Sequence, residues 1–241
     1  MAWRIGLVAL LLVLSSSVGA RHSFTSLNPR KASPGIRIQL VELPPAVSGG
    51  VVRYSLRADG FPPGVTVGVW TKDFGRNFQE LIYPVAFGPN GVPIAPDSSG
   101  GQRKARPIEL DPGPYPRGAA WEVALASDDH QVAAFTRVIP RPIESRDGPC
   151  TLSLELISLH GNRFVASGKG FAPGESARIE STSSGRTTYR VLRVSPDGAL
   201  PLDVVSHGEV SADLTARYAV KALGCKPAVE YQWGEAALKR N

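Results

Sequence analysis

Cysteine, methionine and aromatic residues are scarce in this 241-residue chain, which holds two cysteines, one methionine and 7% aromatics. Two cysteines with neither a Cys-x-x-Cys spacing nor a nearby histidine do not make a tetrahedral metal set. The four histidines are equally thin material for catalysis. His22 lies near the N-terminus, and His130, His160 and His207 sit beside polar residues in predicted turns, where each reads as an exposed turn residue. No Gly-x-Ser-x-Gly, His-Glu-x-x-His or phosphate-binding glycine loop is present. Asp and Glu are dispersed, and none falls in an aromatic-rich stretch that would suggest paired carboxylates in a sugar cleft. Nothing in the sequence therefore calls for a catalytic residue, a cofactor or a structural metal. Beyond Leu14 no apolar run approaches the roughly 20 residues needed to cross a bilayer, so no stable membrane insertion of the remaining chain is expected. The formal net charge of +6 is spread along the chain, and the one tight basic cluster is Arg103-Lys104-Ala105-Arg106. A nucleic-acid footprint would be a concentrated stripe within a recognisable motif, so nucleic acid is excluded as a partner.

What is present begins with an export signal over residues 1–20. Arg4 supplies the positive start, Ile5 to Leu14 is apolar except for Gly6, and Ser15-Ser16-Ser17-Val18-Gly19-Ala20 gives small residues for cleavage. The apolar run is about half the length of a membrane span. No cysteine follows it to carry lipid, and no Arg-Arg pair precedes it. Cleavage is expected after Ala20, with Gly19 as the alternative, which places the working protein in the periplasm or outside the cell. Cleavage after Gly19 would expose Ala20-Arg21-His22, a terminal tripeptide whose amine, amides and imidazole form a ligand set for a square-planar ion. In an oxidising compartment Cys150 and Cys225 are expected to pair.

Glycine and proline are frequent, and the apolar runs between them are short with a period of two, so the chain reads as β throughout. Laid against itself so that Gly60 falls on Gly170, the sequence repeats. Arg53-Tyr54 meets Arg163-Phe164, Gly60-Phe61-Pro62-Pro63-Gly64 meets Gly170-Phe171-Ala172-Pro173-Gly174, and Gly75-Arg76 meets Gly185-Arg186. The turn signals Pro89-Asn90-Gly91 and Pro196-Asp197-Gly198 also correspond. In the first copy strands are expected at 36–43, 51–59, 65–71, 78–87, 92–94, 106–110, 119–127 and 131–139. In the second they are expected at 151–159, 162–168, 176–182, 187–195, 199–204, 213–222 and 228–233, with a helical turn after Gly234. About seven short strands per copy is the spacing of an immunoglobulin-like sandwich. The division is then a disordered lead-in at 21–34, a first sandwich at 35–140, a polar, proline-containing linker at 141–148 and a second sandwich at 149–241.

The Gly-Phe-x-Pro-Gly segment, Gly60–Gly64 and again Gly170–Gly174, resembles the turn of many bacterial immunoglobulin-like domains found in tandem in secreted proteins. A similar segment occurs in the apoproteins of enediyne antibiotics. The resemblance covers one strand–turn–strand unit per copy and implies a fold, all-β with two tandem immunoglobulin-like sandwiches. Such modules serve as spacers, adhesin repeats, carrier scaffolds and appendages of enzymes, so it implies no single function.

The aromatic residues supply the remaining clue. In Val65-Thr66-Val67-Gly68-Val69-Trp70-Thr71 the alternation sends the valines to the core and Trp70 to the opposite face, whereas Trp121 and Trp233 share parity with core residues. Trp70 is expected either to lie beneath the segment 95–117, which the second copy lacks, or to form a partner surface with Lys72, Phe74 and Arg76. The reading is a secreted, non-enzymatic binding or structural protein whose partner is a protein or glycan outside the cytoplasm. A small exported enzyme or metal-binding protein with its site on inter-strand loops is the alternative.

Overall fold

The computed structural model describes residues 27–44, 52–88, 91–95, 106–208 and 214–240. The export signal, the tripeptide Ala20-Arg21-His22 and the basic cluster 103–105 lie outside them. The described chain is all-β, apart from two 3₁₀ turns at Pro29–Lys31 and Gly234–Leu238.

Among the described residues four sheets form, and each draws its strands from one part of the chain. The N-terminal part supplies β1 (Arg37–Glu42), β2 (Tyr54–Asp59), β3 (Val67–Lys72), β4 (Gln79–Phe87), β5 (Pro93–Ala95), β6 (Arg106–Pro107), β7 (Glu109–Leu110), β8 (Trp121–Ser127) and β9 (Ala133–Val138). These make a three-stranded sheet, β1-β2-β7, and a six-stranded sheet, β6-β5-β4-β3-β8-β9. The C-terminal part supplies β10 (Ile143–Asp147), β11 (Cys150–Leu156), β12 (Arg163–Lys169), β13 (Ser176–Ser183), β14 (Arg186–Arg193), β15 (Leu200–Ser206), β16 (Thr215–Lys221) and β17 (Ala228–Gln232). Their sheets are β10-β11-β12-β15 and β14-β13-β16-β17. Every pairing between these strands is antiparallel.

The period-two pattern is met residue by residue. Cys150, Leu152, Leu154 and Leu156 of β11 are buried and the residues between them are not. Val229 and Tyr231 of β17 do the same from the facing sheet, and so do Ala216, Tyr218 and Val220 of its neighbour β16, where Ala219 is buried as well. β8 departs from it, because Trp121, Val123 and Leu125 enter the main core while Ala124 and Ala126 are buried in a second, smaller cluster on the other face.

Two segments differ from the sequence reading. The expected linker 141–148 carries β10, an edge strand in register with β11 from Ile143↔Leu154 to Asp147↔Cys150. Its one apolar side chain, Ile143, is 2% exposed, while Glu144, Ser145 and Arg146 give the strand a linker's composition. The described part of the lead-in, residues 27–34, is not loose but laid along β9. Ser33 N–H donates to the Ala133 carbonyl at 2.8 Å, Ala133 N–H donates to Ser33 Oγ at 3.0 Å, and Leu27 packs on the smaller cluster.

The two parts meet over one continuous core that includes Tyr115, Ala119, Ile143, Leu154 and Leu156. Gly118 N–H donates to the Arg141 carbonyl at 2.7 Å, and Leu156 N–H donates to the Gly118 carbonyl at 2.9 Å. Ala119 and Leu156 form a parallel bridge. A side chain at Gly118 would sit 2.7 Å from Ile143 Cδ1, so the close approach depends on glycine there.

Candidate partner surface

Trp70 does leave the face used by Val67 and Val69, but that face is covered. Its side chain is 5% exposed and packs with Phe78, Ala124, Ala126 and Ala133, with Leu27 and Phe135 at the margin. The His130 ring stands edge-on to it at 5.3 Å. Among the described residues the cover comes from Leu27 of the lead-in, Phe78 and the β8–β9 hairpin, and the small side chains of Ala124 and Ala126 give the indole its bed, while residues 96–105 of the expected cover 95–117 lie outside the described residues. A buried Trp cannot anchor a partner, so the expected surface loses its central residue.

The other three residues of that group part company. Lys72 is half-buried, its ammonium 2.7 Å from Glu122 Oε1 and over the Phe78 ring at 5.7 Å. Phe74 turns toward the main core, and its N–H donates to Tyr115 Oη at 2.6 Å. Arg76 is exposed on the turn that follows. Asp73 faces Arg240 at 3.8 Å, and Gly75 approaches Leu159 so closely that a Cβ would lie 2.6 Å from it. The loop 73–76 thus belongs to the junction between the two parts of the chain.

Tyr115 organises that junction from the end of the segment 95–117. Fully buried, it accepts from Phe74 N–H and donates to the Ala120 carbonyl at 2.9 Å, and its own carbonyl accepts from Arg141 Nη1 at 3.1 Å. Burial raises its phenol pKa to about 12, so it stays a neutral donor at any physiological pH. Arg137 and Glu155 add an ion pair across the same seam.

The titratable groups of the C-terminal part are structural. His207, expected in an exposed turn, is buried among Phe164, Tyr231 and Trp233, stacked on the Trp233 ring at 4.9 Å. One ring nitrogen lies 2.9 Å from Tyr231 Oη and the other 3.2 Å from Ser183 Oγ. Burial lowers its pKa, because the imidazolium would have to be desolvated. Asp203 is buried too, accepting from Tyr218 Oη and Arg190 Nη2, each at 2.6 Å. Burial and the Asp203 carboxylate together push the Tyr218 phenol far up. Among the buried side-chain nitrogens and oxygens of the described residues, Trp233 Nε1 is the one without a hydrogen-bond partner. Among the described residues no three potential ligands gather for a metal ion. A groove of about 860 Å³ lies between the Phe61–Pro63 turn and Pro84–Phe87, with Phe61 stacked on Phe87. Among the described residues that line it, Asp59 is the titratable one.

Cys150 and Cys225 are bonded, with Cα atoms 6.2 Å apart, joining the start of β11 to the turn after β16. The bond ties together the two facing sheets of the C-terminal part at one end.

The face that the sequence reading overlooked is that of β14. Arg-Thr-Thr-Tyr-Arg-Val-Leu-Arg has no clean core side, and every residue but Leu192 is exposed. Arg178 lies 4.3 Å over the Tyr189 ring. The strands of this sheet hold six cations, Arg178, Arg186, Arg190, Arg193, Arg217 and Lys221, against two carboxylates, Glu180 and Glu230. Sequence order hides this gathering, because the cations come from three strands, the third of them separated from the first two by the stretch 194–214, which carries four acids and no Lys or Arg.

No family model and no curated protein matches the chain. Among solved structures it is similar to a tetra-tandem repeat in the extending region of a large adhesion protein, at 12% identity and TM-score 0.26. That alignment covers 82% of this chain and 48% of the other. It is also similar to a 1.5-MDa bacterial ice-binding adhesin described for host cell surface retention, at 12% identity and TM-score 0.23, covering 83% of this chain and 63% of that one. The chain thus spans about half of the first structure and under two thirds of the second.

Proposed function

We propose that the chain is an exported, non-enzymatic binding or structural protein in which two immunoglobulin-like modules, at 35–140 and 149–241, act as one rigid body. The observation that carries this reading is the junction. A spacer between independent domains exposes polar backbone to water and lets the domains reorient. Here the connecting residues are a strand of the second module, and the core runs unbroken through Tyr115, Ala119, Ile143 and Leu154. Fixed geometry suits a protein that presents surfaces, and it requires no moving parts for turnover. The partner in this reading is a protein or glycan outside the cytoplasm, and the signal at 1–20 delivers the chain there.

Two measurements test the reading. Backbone ¹⁵N relaxation on the exported protein is expected to return one overall tumbling time for β8 and β16; two separate tumbling times would end the rigid-body reading. N-terminal sequencing of the product from the extracytoplasmic fraction is expected to begin at Arg21 or Ala20. A chain retained in the cell with Met1 intact would remove export from the proposal.

A further inference from the structure

Among the described residues no strand pairs with the outer edge of β14. Edge strands expose unpaired N–H and C=O groups, and folded proteins ordinarily blunt them with charged side chains, proline, bulges, short length or a covering segment, of which β14 has only the charge of its arginines. The first module follows that rule. β4 stands to β3 as β14 stands to β13 in the repeat. It carries Pro84, shifts register against β3 at two places, and is extended by β5, through Ala86↔Ile94 and Phe87↔Pro93, with β6 beyond. The neighbouring edge of the second module, β15, has Pro201 and a register shift against β12 between Ala166 and Gly168. β14 has neither device. It runs eight residues in unbroken register with β13, from Ser183↔Arg186 to Ser176↔Arg193.

The hairpin geometry says which groups are free. Ser184 and Gly185 both have positive φ, 51° and 72°, and form a two-residue turn of the primed type. Such a turn makes Ser183 and Arg186 a hydrogen-bonded pair, and hydrogen-bonded pairs then alternate along an antiparallel ladder. Arg186, Thr188, Arg190 and Leu192 therefore direct their backbone groups to β13. Thr187, Tyr189, Val191 and Arg193 direct theirs away from the sheet. The side chains of this second set lie on the outer face, where Tyr189 is 57% and Val191 68% exposed.

Charge selects the occupant. β14 holds three arginines and no carboxylate. Arg190 is held by Asp203, while Arg186 and Arg193, at the two ends, have no ion-pair partner among the described residues. The nearest carboxylate on the outer face, Glu180, is taken by Lys221 at 2.7 Å and Arg178 at 3.4 Å. A second copy of this chain would bring three more arginines to the same ladder, and like charges across a ladder destabilise it. A strand alternating carboxylates with threonine or valine meets the opposite situation. Its backbone completes the free groups, its acids meet Arg186 on the face that Arg186 shares with Thr188 and Arg190, and its apolar side chains lie on the outer face beside Tyr189 and Val191.

We infer that β14 is a docking edge for an acidic, extended segment of another protein, which adds to the β14-β13-β16-β17 sheet as a fifth strand. The inference rests on the binding reading above for the existence of a partner, and on the edge alone for its chemistry.

The probe is a blocked eight-residue peptide alternating Glu with Thr or Val, added to the ¹⁵N-labelled exported protein; the control peptide has Lys in place of every Glu. The Glu peptide is expected to slow amide exchange at Thr187, Tyr189, Val191 and Arg193 by about ten-fold or more, as new ladder bonds do, and to leave Thr188 and Arg190 unchanged. Added salt is expected to weaken the effect. Val191→Pro removes one outward N–H without touching the ladder to β13 and is expected to abolish the protection. The double variant Arg186→Glu with Arg193→Glu is expected to transfer the preference to the Lys peptide, which shows binding even if the proline variant misfolds. Unchanged exchange at millimolar Glu peptide overturns the inference, as does equal protection by both peptides. Protection that grows with protein concentration alone would assign the edge to a second copy. None of these outcomes gives β8 and β16 separate tumbling times, so failure here is distinct from failure of the rigid-body reading.

Discussion

Gly60 and Gly170 occupy equivalent places in the two copies, and the same physical demand explains both. Each has positive φ, 81° and 85°, and a Cβ at either would lie 2.3 Å from the Gly35 carbonyl or 2.1 Å from the Pro149 carbonyl. Gly64 and Gly174, which close the same turns, also have positive φ but open space around them. The sequence repeat revealed that these glycines matter, yet only the fold separates the pair that needs room from the pair that needs only backbone freedom. Gly174→Ala should therefore cost about 1–2 kcal/mol, the strain of a non-glycine residue in the left-handed region. Gly170→Ala should cost more, because the Pro149 backbone must also shift, and urea denaturation of the two variants gives the comparison. His207 yields a second prediction at this scale. Its folded-state pKa is lowered by burial, so the folded chain binds fewer protons than the unfolded chain as pH falls through the ordinary histidine range. Its contribution is fully present above the unfolded value of about 6.5 and is lost progressively below it. Unfolding free energy should drop on acidification from pH 7 to 5, and His207→Phe should flatten that part of the profile whatever its effect at pH 7.

At the scale of elements, the strands were legible because half-buried β-strands write their burial into alternate residues, as β11 and β17 do. β10 was not, because an edge strand with Ile143 alone in the core leaves no alternation to read. The lead-in escaped for a related reason: Leu27 and Ser33 act one residue at a time, on a face formed by distant strands. The partner surface failed at the same level. Parity placed Trp70 correctly on the outer side of β3, but whether that side meets water depends on Leu27, Phe78 and Phe135, none of them near Trp70 on its own strand. A direct consequence is testable by comparing the chain from Arg21 with one starting at Pro34. Removing the lead-in should move the indole N–H resonance of Trp70 and leave those of Trp121 and Trp233 in place, since both belong to the main core. An unmoved Trp70 resonance would mean that Leu27 and the turn after it do not cover the ring.

Across the whole molecule, the disulfide and the junction make opposite demands on how the chain comes apart. The Cys150–Cys225 bond spans 75 residues of the C-terminal part alone. In the chain-entropy account, a loop of that size limits the unfolded ensemble by about 4 kcal/mol. Independent modules would confine that loss to β10–β17. The shared core forbids so clean a separation, because unfolding the second module strips Ile143, Leu154 and Leu156 from Tyr115 and Ala119 and leaves the Gly118 backbone without its partners. Tyr115 carries much of this coupling: its buried hydroxyl satisfies the Phe74 N–H and the Ala120 carbonyl at once, and Tyr115→Phe should cost about 1–3 kcal/mol through the groups it leaves unpaired. Native-state hydrogen exchange can then read both ends of the molecule. In the intact protein the slowest amides of β8 and β16 should share one opening free energy. Replacing both cysteines by serine should lower the two together by about 4 kcal/mol, and adding Tyr115→Phe should split them, with β16 opening first. A β8 value that ignores the disulfide from the outset would show that the two sandwiches unfold separately despite the continuous core.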